Sequence, residues 1–94
     1  MPVVLYEAGV DQELPYRMSL DTIRAGLSEL RCDVVCRFME FWCQKNCVGP
    51  WRVQETEKQI HIWFEMPRDV IIFKLSSEYD DFVVLGARAY FPQT

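Results

Sequence analysis

The chain has 94 residues, of which half are hydrophobic, 14% aromatic and 26% charged. That suffices for one packed core and excludes both a second core and general disorder. Ten Lys and Arg stand against fourteen Asp and Glu, a net charge of −4, which speaks against a sequence-independent nucleic-acid binder and against docking on an anionic membrane, since both draw affinity from excess cations.

Met1 to Val10 lacks the basic start and sustained apolar run of a signal peptide. No stretch approaches the roughly 20 apolar residues of a spanning helix. The expectation is a cytoplasmic protein whose four cysteines are thiols.

Pro2 to Glu7 contains Val3, Val4, Leu5 and Tyr6 and predicts a short buried strand. Gly9 to Met18 carries Gly, Asp and Pro and predicts a loop, after which Ser19 or Asp21 can cap a helix. From Leu20 to about Asn46 the spacing is helical. Leu20, Ile23, Leu27, Leu30, Val34, Phe38 and Phe41 recur every three or four residues and form one stripe, expected to face a sheet. Asp33 and the pair Val34-Val35 are mediocre helix formers, so a break near Cys32-Asp33 is open. Cys47-Val48-Gly49-Pro50 supplies the stop, with Gly suited to a left-handed cap.

Trp51 to Glu65 predicts a hairpin turning at Glu57-Lys58. Its period of two sends Val53, Ile60, Ile62 and Phe64 to one face, and Arg52, Gln54, His61 and Trp63 to the other. Pro67 suits the first position of a helix and Asp69 its first turn. The run Val70 to Phe73 is compatible with helix or strand. Tyr79 to Phe82 is expected to turn the chain, Phe82 to Leu85 to form a last strand, and Ala87 to Phe91 to extend it or trail off. The order β, α, β, β, α, β predicts an α+β fold of ferredoxin-like type, with two helices on one face of a four-stranded antiparallel sheet. The alternative is one long helix packed on an antiparallel meander, with Asp69 to Ser77 as a strand.

Phe64 to Leu75 reads FEMPRDVIIFKL. The segment resembles small phage-encoded proteins in which an aromatic-acidic pair and a Pro or acidic turn precede an Asp, an apolar run and Phe-Lys-Leu. The resemblance covers about a dozen residues. It implies an accessory protein of viral or prophage origin that binds and redirects a host protein, and it carries over no catalytic residue.

Cys32, Cys36, Cys43 and Cys47 form two C-x₃-C pairs. On one helix they fall within an arc of roughly 60°, with the outer two ~22 Å apart along the axis. They cannot surround a single zinc ion, which needs every sulfur about 2.3 Å from one point. Packing as small hydrophobes is the expected role. Half-sites completed by another subunit and redox chemistry are the alternatives. His61 is expected on the sheet face opposite the cysteines, against a Cys-His dyad. No phosphate loop, zinc-hydrolase helix or serine elbow is present.

Beside the stripe, Val35, Met39, Trp42 and the cysteines make a further apolar face, with polar residues confined to an arc of Asp33, Arg37, Glu40 and Gln44. A surface helix needs only one apolar stripe, so either a second helix or another protein covers the excess. The reading is a non-enzymatic, acidic protein-interaction module with no cofactor, self-associating as a homodimer or binding and inhibiting a host protein. Its contact residues are Trp63, His61 and Arg52 on the sheet and Trp42, Met39 and Val35 on the helix. A metal or redox protein and a sheet-face RNA binder are the alternatives.

Overall fold

The computed structural model describes residues 3–4 and 14–91. The predicted Pro2 to Glu7 strand, apart from Val3 and Val4, and the loop before residue 14 lie outside the described residues. The elements are β1 (Val3–Val4), β2 (Tyr16–Asp21), α1 (Glu29–Asn46), β3 (Trp51–Glu55), β4 (Gln59–Phe64), α2 (Pro67–Lys74), α3 (Ser77–Val84) and β5 (Arg88–Tyr90). The strands form one antiparallel open sheet in the order β1-β3-β4-β2-β5. The fold is α+β, and no helix among the described residues is long and apolar enough to cross a membrane.

The hairpin forms as its alternation predicts, with Trp51 opposite Phe64 and Val53 opposite Ile62. Val53, Ile60, Ile62 and Phe64 are fully buried beneath the helices, joined by Met18 and Leu20 from β2. Burying these side chains is the main favourable term holding the layers together, at about 1.5–3 kcal/mol for each large one. The aromatic part of the core runs from Trp42 of α1 through Phe73 of α2 to Tyr79 and Phe82 of α3, with ring centroids 5.2–6.4 Å apart.

Several expectations are corrected. Tyr16 to Asp21 is a strand, so Leu20 belongs to the sheet and α1 begins only at Glu29. Asp21 caps a turn instead of a helix, its Oδ1 accepting from the amides of Ile23 and Arg24 at 3.0 and 3.1 Å. Gly26, at φ 71°, completes that turn, and the side chain of Ser28 caps α1 by accepting from the Arg31 amide. The helix is unbroken at Cys32-Asp33. Gly49 is not the left-handed residue that ends it. Cys47 caps α1 with φ −76°, and a side chain at Gly49 would overlap Met66.

Asp69 to Lys74 is helical, which removes the meander alternative. Phe82 to Val84 ends α3 instead of forming a strand, and the last strand is Arg88–Tyr90. Ser76 caps α3 by accepting from the Tyr79 amide, and a hydroxyl cap ahead of a run with Glu78 and Asp80 in its first turn favours helix over strand.

The largest correction concerns α1. The stripe expected to face the sheet faces outward, with Leu30 74%, Phe38 64% and Phe41 58% exposed. Cys32, Cys36, Met39, Trp42 and Cys43 are buried against the sheet. At about 100° per residue the two rows are roughly opposite one another. The sheet surface below is already bulky with Trp51, Ile60, Ile62 and Phe64. Small thiols and flexible Met39 let the helix pack closely there, whereas a row of Leu and Phe would overfill the layer.

Candidate functional site

The sheet face away from the helices is built in two rows of directly paired residues. In one, Arg52 of β3 pairs with Trp63 of β4, Trp63 with Arg17 of β2, and Arg17 with Tyr90 of β5. In the other, Gln54 pairs with His61, His61 with Ser19, and Ser19 with Arg88. Trp63 and His61 therefore sit side by side on β4, their rings 6.0 Å apart.

The first row is a ladder of cations and rings. The Arg17 guanidinium lies 4.3 Å from the Tyr90 ring and 5.3 Å from Trp63, with the Arg52 guanidinium 6.0 Å from Trp63 on its other neighbouring strand. Such contacts attract because the ring face is negative. Trp63 is only 6% exposed, while Arg17 and Arg52 are half-buried and Tyr90 is exposed. Nε of Arg17, Nε of Arg52 and Nε1 of Trp63 are buried without a hydrogen-bond partner among the described residues.

In the second row, Ser19 Oγ and His61 Nδ1 share a 2.7 Å hydrogen bond. Burial, with the Arg17 charge adding to it, holds the His61 imidazole below the usual histidine range. Beside this row is a polar recess of about 410 Å³ lined by Ser19, Asp21, Arg24, Gln59, Arg88 and Tyr90. Gly86, at φ 92°, closes α3 into β5 and so brings Arg88 and Tyr90 to its rim.

The helical side carries a different surface. Exposed Leu30, Val34, Phe38 and Phe41 run along α1. Between α1 and α3 is a groove of about 210 Å³, apolar along Val35, Phe38, Met39, Phe82 and Leu85 and bordered by Glu78 and Asp81.

The expected contact residues thus divide. Arg52, His61 and Trp63 meet on the open sheet face. Val35, half-buried, and Met39, fully buried, line the α1–α3 groove. Trp42 is a correction: it packs edge-on against Phe64 and Phe73 in the core, because its row of α1 faces the sheet. Sequence reasoning missed Arg17, Ser19, Arg88 and Tyr90. The alternation of Tyr16, Met18 and Leu20 with Arg17, Ser19 and Asp21 held the signal for β2, but the Gly- and Pro-containing stretch before it obscured the strand.

Cys32, Cys36 and Cys43 are buried thiols, and Cys47 is half-buried at the end of α1. Burial, reinforced by Glu55, pushes Cys32 up and Cys36 up to about 12. The Cys36 Sγ donates to Glu55 Oε1 at 3.8 Å. A hydrogen bond with Cys47, together with burial, raises Cys43. These three therefore stay protonated near neutrality, in the inert form of the group. His61 lies on the opposite face of the sheet from them, and no group of three or more His, Cys, Asp or Glu among the described residues is placed to hold a metal ion. No family model, curated protein or solved structure matches the chain.

Proposed function

We propose that this chain is a non-catalytic binding module that docks a protein partner on the outer face of α1 and the adjoining α1–α3 groove. The observation that carries the reading is the exposed row Leu30, Val34, Phe38 and Phe41 on a helix whose opposite side already fills the core. A solvated helix gains nothing from such a row, whereas a contact surface does. Glu78 and Asp81 on α3 give the groove an acidic border, so the matching partner presents an amphipathic segment with basic flanks.

An inhibitor of phage or mobile-element type would use such a surface to hold a basic-flanked segment of a host protein. Self-association through the same row, giving a homodimer, is the second reading. The strand order β3-β4-β2-β5, with helical crossovers from β2 to β3 and from β4 to β5, supports a ferredoxin-like arrangement, with α2 and α3 together replacing its second helix and β1 added at one edge.

The test is capture from a bacterial lysate with the unaltered chain and with Phe38→Asp and Asp81→Lys, beside sedimentation of the pure protein. Loss of one captured protein with both variants, from a chain that sediments as a monomer, supports the partner reading. A concentration-dependent dimer abolished by Phe38→Asp supports self-association instead. Equal capture by all three, with an unaltered monomer, overturns both.

A further inference from the structure

We propose that the face of the sheet away from the helices is a second binding surface, and that it takes a short stretch of single-stranded nucleic acid. The net charge of −4 is an average over a chain whose charges are segregated. Arg17, Arg52 and Arg88 project from three strands on this face, and neither cross-strand row contains a carboxylate. Asp21 is at one end of β2, already engaged with the amides of Ile23 and Arg24, and Glu65 lies just beyond β4. Many of the remaining described acids lie elsewhere, on α1, on α3 and around the cleft of Glu29, Asp33, Glu55 and Glu57.

The rings hold the guanidiniums in place. With Trp63 between Arg17 and Arg52, and Arg17 between Trp63 and Tyr90, the two forks are ordered before any ligand arrives. A planar fork suits paired phosphate oxygens. Trp63, nearly buried, is a positioning residue here. Tyr90, 48% exposed, is the ring on which a base can stack.

The recess beside Tyr90 decides between nucleic acid and an acidic peptide. It offers the carboxylate of Asp21 and the amide of Gln59 together with Arg24 and Arg88. Mixed donors and acceptors suit the edge of a base, whereas an ionised acidic side chain only accepts and leaves the Asp21 oxygen unmatched. Four adjacent strands at ~4.8 Å spacing make a track of about 14 Å, room for a few nucleotides.

Fluorescence anisotropy with labelled 12-nucleotide oligo-dT and oligo-U tests this. Binding is expected at 50 mM salt, with a dissociation constant of about 1–100 μM and a log–log salt slope near −2 for three phosphate contacts. Arg88→Ala should shrink the magnitude of that slope by about 0.7, and Tyr90→Ala should weaken binding about 5- to 100-fold. Both residues are on the exposed β5, and circular dichroism melts would establish that the variants fold. No binding at roughly 100 μM protein, binding indifferent to both variants, or equal binding of polyglutamate or duplex DNA would each overturn the proposal.

Discussion

Arg17 and Tyr90 face each other across the β2–β5 pairing, the guanidinium carbon 4.3 Å from the ring centroid. Because the same guanidinium also lies 5.3 Å from Trp63, one side chain ties an edge strand of three exposed residues to the middle of the sheet. Arg17→Met keeps the stem and removes the charge. Urea unfolding should register a loss of about 1–2 kcal/mol for the two contacts, with a change in tryptophan emission. A variant as stable as the parent would mean that the ladder does not hold β5.

The inside–outside reversal of α1 makes paired substitutions informative. Met39→Ala leaves a hole against the sheet and should cost about 2–5 kcal/mol. Phe38→Ser, one position earlier and exposed, should change stability by no more than about 0.5 kcal/mol. Thermal melts giving the opposite ranking would return the large stripe to the core.

Asp69 is fully buried. Its carboxylate accepts from the amides of Val48 and Gly49, both at 3.0 Å, and from Arg68 at 3.4 Å, fastening the end of α1 to the start of α2. Asp69→Ala strands two amides at once, and an unfolding curve should show a loss of about 2–4 kcal/mol. Asp69→Asn, which keeps one acceptor oxygen, should lose less than the alanine variant.

His61 gives the fold a pH dependence of known sign. Its folded pKa is lowered from 6.5, chiefly by burial and further by Arg17. Between the two values the unfolded chain binds the extra proton. The stability from a neutral His61 is therefore complete above pH 6.5 and declines as pH falls through the folded value. Melts followed from pH 7.5 downward should show this decline, and His61→Gln should flatten it. An identical slope in the variant would assign the dependence to other groups.

The thiols should divide by burial. With native protein and a maleimide followed by mass spectrometry, Cys47 is expected to be labelled first. Cys32, Cys36 and Cys43 should react only at the rate of unfolding. Rapid labelling of Cys36 in the native state would contradict its packing beside Glu55.

The sequence by itself determined what depends on local pattern. Strict alternation from Trp51 to Phe64 was enough for the hairpin, its turn and both its faces, because a strand's side chains have a period of two whatever lies around them. Pro67 and Asp69 marked the start of α2, and the spacing of the cysteines placed them on one helix face and made packing their expected role.

Tertiary structure decided the rest. A helix that is apolar on two opposite sides does not state which side is inside. That choice fell to the bulk of the sheet, which accommodates the thiols and Met39 and leaves Leu30, Phe38 and Phe41 outside. Nor does a strand state its neighbours. Arg17 and Tyr90 are 73 positions apart, and only the β4-β2-β5 order sets them beside Trp63 in one row.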